Sequence, residues 1–376
     1  MDDVIEGIPG RYWQTLPDGR IQCDLCPREC KLQEGQRGLC FVRARKGEGL
    51  VLTTYGRSSG FCIDPIEKKP LNHFLPGTSV LSFGTAGCNL TCKFCQNHDI
   101  SKARQMDALM DHAPPDVIAE AAVKGGCRSV AYTYNDPVIF LEYAVDVAQA
   151  CHERGIRNVA VTAGYLKQAA REEFFTHMDA ANVDLKAFTD SFYHSLCSAH
   201  LEPVLETCLY LKYETNVWFE LTVLLIPGEN DGEAELERLT QWVVEHLGGD
   251  VPVHFTAFHP DFRMLDKPRT PPETLFRAYR IARKNGVRFP YTGNIHHPQT
   301  GSSYCPGCGT CVMERDWHEL SHWGLTQGGC CSQCGMDIPG VFEERPGTWG
   351  RRRQPLRLGP LADRMHPDPV QGPVSS

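Results

Sequence analysis

The chain has 376 residues, a net charge of −8 and a pI near 6.0, with 41% hydrophobic and 22% charged residues. That length supports a large α/β core with additional segments, and the balance is that of a soluble globular protein. The acidic charge supplies no field for nucleic acid or an anionic membrane, and no apolar run nears the roughly 20 residues that cross a bilayer. The start, MDDVIEGIPG, lacks the apolar core of a secretion signal, so a cytoplasmic location is expected.

The outlying number is 18 cysteines, and they cluster. In a large chain without an export signal, knots of closely spaced thiols read as metal sites rather than disulfides. The first knot, Cys23, Cys26, Cys30 and Cys40, is a complete four-ligand set that suits zinc or an auxiliary Fe–S cluster equally. Cys62, Cys127, Cys151, Cys197 and Cys208 are single, and read as small buried hydrophobes.

From about residue 78 to 300, Val/Phe/Thr-rich runs alternate with helical patterns. Strands are predicted at 79–87, 129–135, 158–164, 181–188, 217–228 and 251–260; being almost continuously apolar, they should be covered on both faces. Helices are predicted at 115–125, 137–154, 166–178, 203–214, 232–248 and 271–285. Asp231 is placed to cap the fifth, and the sixth stops at Asn285-Gly286. Six β-α units argue a parallel sheet, open or curled into a partial barrel, with its chemistry at the C-terminal strand ends.

The first of these strands runs into GTAGCNLTCKFCQNH (84–98), where Cys88, Cys92 and Cys95 are spaced C-x3-C-x2-C. With His98 as a fourth ligand this would be a closed zinc site; without it, a cubane cluster would keep one iron open. The second strand ends at Asn135-Asp136-Pro137, where Asp136 can cap a helix with proline at its first position. The third ends at Thr162 and Gly164. On the fourth, period 2 sets Asp184 and Lys186 on one face, which is costly unless the two are paired or bound to a ligand. The sixth carries His254, followed by His259.

Past residue 300, Cys305-x2-Cys308 and Cys331-x2-Cys334, each followed by glycine, form a zinc-ribbon pattern, with Cys311 and Cys330 as spares. The expected organisation is an N-terminal Cys-rich segment (1–75), a core (76–300), a zinc-ribbon-like module (301–345) and a Pro/Gly/Arg-rich disordered tail (346–376).

The cysteine loop, with Phe94 just before its third cysteine, resembles the signature of the radical S-adenosylmethionine (radical SAM) enzymes, and CKFCQN resembles the activating enzymes of glycyl-radical proteins. A wider set of motifs resembles the radical SAM member of the AmmeMemoRadiSam system: CDLCPREC, DPIEKKPLNHFLPG, AYTYNDP, VDLKAF, FHPDFRM and YCPGC. This resemblance implies an α/β fold, a partial (β/α)6 radical SAM barrel. It implies a [4Fe–4S] cluster on Cys88, Cys92 and Cys95 whose open iron binds S-adenosylmethionine, with His98 a neighbour and not a ligand. One electron, supplied by reduced flavodoxin or ferredoxin, then yields a 5′-deoxyadenosyl radical that takes hydrogen from a protein or peptide.

Phe94, Asn135, Asp136, Thr162, Asp184, Lys186 and His254, the last in preference to His259, are the cofactor-binding residues it implies, with Ile226 and Pro227 giving backbone to an adenine pocket. Memo-like and AMMECR1-like proteins are the partners it implies. Two other classes compete: a zinc-rich module recognising nucleic acid or protein, and a cluster protein serving electron transfer alone.

Overall fold

The computed structural model describes residues 5–103 and 111–358. Its centre is one sheet: β1 (Arg57–Pro65), β2 (Ser79–Gly84), β3 (Ser129–Tyr132), β4 (Arg157–Thr162), β5 (Ala180–Asp184), β6 (Trp218–Leu225), β7 (Val253–Ala257) and β8 (Pro290–Gly293). The strands lie side by side in chain order, and β2 to β8 are parallel. β1 adds antiparallel to β2. Among the described residues the first and last strands do not pair, so the sheet is open.

All six expected strands are present, shorter at their ends, and two more join them. β8 contains Pro290 and Gly293 within four residues, and β1 reads RSSGFCIDP. Neither shows the β-branched run that marks the other strands.

Helices α1 (Pro115–Lys124), α2 (Leu141–His152), α3 (Gln168–Thr176), α4 (Glu202–Glu214), α5 (Glu233–His246) and α6 (Pro272–Asn285) match the six expected. Gly286 closes α6 at φ 103°, a left-handed position that suits glycine. Asp231 does not cap α5; its Oδ1 accepts from Gly228 N at 2.8 Å, tightening the turn before the helix.

The strands are covered on both faces, but by different material. Leu81, Phe83, Val130, Tyr132, Ala160, Ala181 and Val183 pack in one core with helical residues such as Ile118, Leu141, Phe174 and Leu239. Their period-2 alternates Val80, Ala131, Val159 and Ala180 instead meet Ile66, Leu71, Phe74 and Leu75. Residues of the DPIEKKPLNHFLPG segment therefore line the sheet face opposite the helices, here called the inner lining.

The flanking segments are fused to this body. Arg43, buried, makes a two-pronged ion pair with Glu142 of α2 at 2.8 Å through each nitrogen, joining the N-terminal small sheets to the core. The buried Arg315 of the C-terminal hairpin (Cys311–Asp316, Glu319–Trp323) donates to Asn72 O at 2.6 Å and Ser303 Oγ at 3.0 Å. Residues 346–358, expected as part of a disordered tail, are instead tied to the body. Gly347 N and Trp349 N donate to Pro76 O and Gly77 O, and Gln354–Pro355 pairs with β1, whose outer edge offers unpaired backbone groups. Residues 359–376 lie outside the described residues.

Candidate functional site

The C-terminal ends of β2, β3, β4 and β5 lie side by side and carry the candidate site. The loop after β2 holds Cys88, Cys92 and Cys95, and its backbone is braced from several sides. Gly87 N donates to Ile100 O, Thr91 N to Cys197 O, Lys93 N to Leu196 O and Arg263 N to Lys93 O, at 2.9–3.1 Å. Lys102 Nζ and Arg28 Nε cap the carbonyls of Leu90 and Asn89 at 2.7 and 2.8 Å. So dense a network fixes a loop that lacks regular structure.

Burial pushes the Cys88 thiol up to about 12, with the nearby Asp136 carboxylate adding to it. The Cys197 thiol, and then burial, push Cys92 up, while Cys197 itself is lowered by Cys92. Cys95 Sγ lies 3.1 Å from Ser101 Oγ. Metal must displace these protons, so loading the loop releases acid. Cys197 is buried as expected of a single cysteine, yet it stands against the three-cysteine loop, carried there by the turn Tyr193–Cys197. Nothing in its local sequence marks that position. His98 is turned aside: its ring stacks on Phe262 at 5.1 Å, with Asp261 Oδ1 3.5 Å from Nδ1.

At the end of β3, Asp136 is 4% exposed. Its Oδ1 accepts from Thr162 Oγ1 at 2.7 Å, while Oδ2 is buried without a hydrogen-bond partner. Burial raises its pKa to about 6, against the pull of Thr162, Asn89 and Lys186. Thr162 Oγ1 in turn accepts from Gly164 N at 3.0 Å. Asn135 has a different task from the one expected: its amide donates to Gly87 O at 2.7 Å and its oxygen accepts from Thr85 N, clamping the start of the cysteine loop. Tyr134, between the two strand ends, holds φ 71°, a strained value of the kind concentrated at functional sites.

At the end of β5, Lys186 Nζ lies 3.0 Å from Asp184 Oδ2 and 6.0 Å over the Phe94 ring. Burial alone would lower this ammonium, but Asp184 and the thiols of Cys92 and Cys197 outweigh it and hold it well above its usual range. Asn230 ties Lys186 O to Leu224 O across the ends of β5 and β6, and its Oδ1 accepts from Ile226 N.

His254 is not part of this assembly. It is the second residue of β7, toward the opposite strand end, where its Nε2 meets the buried Glu220 carboxylate at 2.6 Å and its ring stacks on Tyr291 at 4.9 Å. Glu220 also accepts from the backbone of Asn72 and His73, so His254 is one of several partners of a carboxylate that the inner lining depends on. The residue brought to the cysteine loop is His259, whose Nδ1 lies 3.0 Å from Gln96 Nε2.

The C-terminal knuckles converge. Cys305, Cys308, Cys331 and Cys334 are the one set of three or more metal-type ligand atoms, among the described residues, that all lie within 4.8 Å of one another. Two of the sulfur pairs are 3.5 and 3.7 Å apart, close to the ~3.8 Å that a tetrahedral ion with ~2.3 Å zinc–sulfur bonds sets between thiolates. Gly309 and Gly335, at φ 75° and 76°, return their amides to Cys305 O and Cys331 O at 2.9 and 2.8 Å, so the two turns repeat one another. Cys311 and Cys330 stay outside the set.

A model of the radical SAM superfamily matches residues 83–240. An uncharacterized protein of Methanocaldococcus jannaschii is 38% identical over 304 residues, spanning 81% of this chain and 90% of that protein. Among solved structures, a radical SAM methyltransferase from Sphaerobacter thermophilus aligns with a TM-score of 0.47 at 16% identity, covering 76% of each chain. A domain of pyruvate-formate lyase-activating enzyme from Bacteroides vulgatus aligns with a TM-score of 0.40 at 16% identity, over 44% of this chain and 99% of that domain.

Proposed function

The chain belongs to the radical SAM superfamily, and we propose that it acts as an enzyme of the activating type, with a [4Fe–4S] cluster on Cys88, Cys92 and Cys95. When bound, such a cluster with one open iron supplies the electron that splits S-adenosylmethionine into methionine and a 5′-deoxyadenosyl radical, which takes hydrogen from a substrate. The observation that carries this reading is Asp136. Its carboxylate is buried beside the three-cysteine loop with Oδ2 short of a full hydrogen bond, and desolvation outweighs the pull of Thr162, Asn89 and Lys186, so a bound cation would stabilise its charged form. The methionine ammonium of S-adenosylmethionine fits that need, whereas an inert zinc site would leave it unmet.

In this reading each side chain has a separable task. Thr162 fixes Asp136 through Oδ1 so that Oδ2 faces the ligand. Asn135 holds the loop entry, and Lys186 with Asp184 offers a cation and an acceptor to the carboxylate and ribose. The turn at Ile226 and Pro227 lends backbone to the adenine. Zinc in the C-terminal knuckles is structural. A protein or peptide substrate, reduced flavodoxin or ferredoxin as donor, and Memo-like and AMMECR1-like companions complete the proposal.

Anaerobic reconstitution should give a reduced cluster whose EPR signal changes when S-adenosylmethionine is added. A cluster indifferent to it would support the electron-transfer class, and zinc alone would support the binding-module class.

A further inference from the structure

The N-terminal knot is built differently from the C-terminal one. Cys23, Cys26, Cys30 and Cys40 line one small cavity, together with Leu25 and Arg43. Cys23, Cys26 and Cys40 are buried and Cys30 is half-buried. No three of these thiols lie within 4.8 Å of one another, although the C-terminal four do so. A single zinc ion draws its thiolates to that shorter spacing, whereas a cubane binds each thiolate through a different iron and holds them farther apart.

Two further features point the same way. Gly38 faces the knot: a Cβ there would stand 3.6 Å from Arg43 O and Cys30 Sγ and 3.7 Å from Cys40 Sγ, so a branched side chain at this position would reach in between two ligands. Arg43 is 1% exposed, and Glu142 and Arg11 O occupy its terminal nitrogens at 2.6–2.8 Å. Its buried Nε–H makes no full hydrogen bond, and the side chain lines the cavity against Cys23. A sulfur-rich anion is the partner such a donor suits.

We infer that Cys23, Cys26, Cys30 and Cys40 hold a second [4Fe–4S] cluster, closed by four thiolates, in this cavity. It would lie directly behind the first site. A Cβ on Gly87, the residue before Cys88, would overlap Cys40 O, and Arg28 reaches from the knot to Asn89 O at 2.8 Å.

The test is metal and sulfide analysis of anaerobically reconstituted full-length protein. The wild type should carry about eight iron and eight sulfide per chain, two clusters' worth, with one zinc. The Cys88→Ala/Cys92→Ala/Cys95→Ala variant should retain about four of each, with a reduced EPR signal that S-adenosylmethionine leaves unchanged, because a closed cluster has no open iron. Gly38→Val, which alters no ligand, should lose that half of the iron and keep the first cluster. Wild-type protein with about four iron and two zinc, or a triple variant that folds but holds zinc and no sulfide, would overturn the inference. Because the triple variant lacks the first cluster altogether, its iron content is independent of whether the chain cleaves S-adenosylmethionine.

Discussion

Asp136 and Glu67 are both buried carboxylates with one unpartnered oxygen, and they separate ligand binding from stability. For Asp136 the missing partner is the proposed ligand. Asp136→Asn keeps the shape and the Thr162 contact but removes the charge, and a charge-assisted hydrogen bond contributes about 1.5–3 kcal/mol. The dissociation constant for S-adenosylmethionine, followed by equilibrium dialysis, should rise roughly 10- to 100-fold, with cluster content unchanged. Glu67 instead accepts from Gly77 N at 2.7 Å in the inner lining, and burial raises its pKa from 4.5 to about 7 against the pull of Arg315. The folded chain thus keeps this proton longer than the unfolded chain does. Stability from this group is lost as pH rises from about 4.5 to about 7, by up to about 3 kcal/mol. Glu67→Gln should therefore gain stability over the wild type between pH 5 and pH 8 in urea titrations; a pH-independent difference would remove Glu67 as the cause.

The elements that carry the site were legible where burial wrote them into composition. Strands β2 to β5 are apolar on both faces because helices cover one side and residues 66–75 the other, so each appears as a continuous run. β1 and β8 were not legible, since strand edges tolerate the Gly, Pro and Ser that conceal them. Periodicity placed Asp184 and Lys186 together, and they are paired at 3.0 Å. It could not show that His254 faces Glu220, which is 34 positions away in sequence, or that Cys197 meets Cys92, because both depend on register between distant elements. At the cysteine loop, Gly87 combines φ 84° with contact to Cys40 O. Gly87→Ala should cost about 3 kcal/mol or more, seen as a lower melting temperature and loss of iron; unchanged iron content would show that the loop accommodates a side chain.

Across the whole molecule, cysteine groups differ in how the fold gathers them. The C-terminal four come together within a short hairpin module, and Cys308 and Cys334 are exposed. A chelator should remove zinc there under conditions that leave iron in place. The melting temperature should fall by several degrees, because Arg315 and Val341 join that module to the inner lining at Asn72 and His73. Retention of full stability after zinc loss would show that the apolar cluster around Val312 and Met313 suffices. The three-cysteine loop is gathered by the whole sheet: four strand ends, the turn at Cys197 and the loop at Arg263 all contact it or flank it.

The central claim is that this loop leaves an iron open to S-adenosylmethionine. Its most direct measurement is formation of 5′-deoxyadenosine by the reconstituted, reduced protein. The account predicts product from the wild type and none from Cys88→Ala, Cys92→Ala or Cys95→Ala. A folded, iron-loaded wild type that leaves S-adenosylmethionine intact under reduction would contradict it.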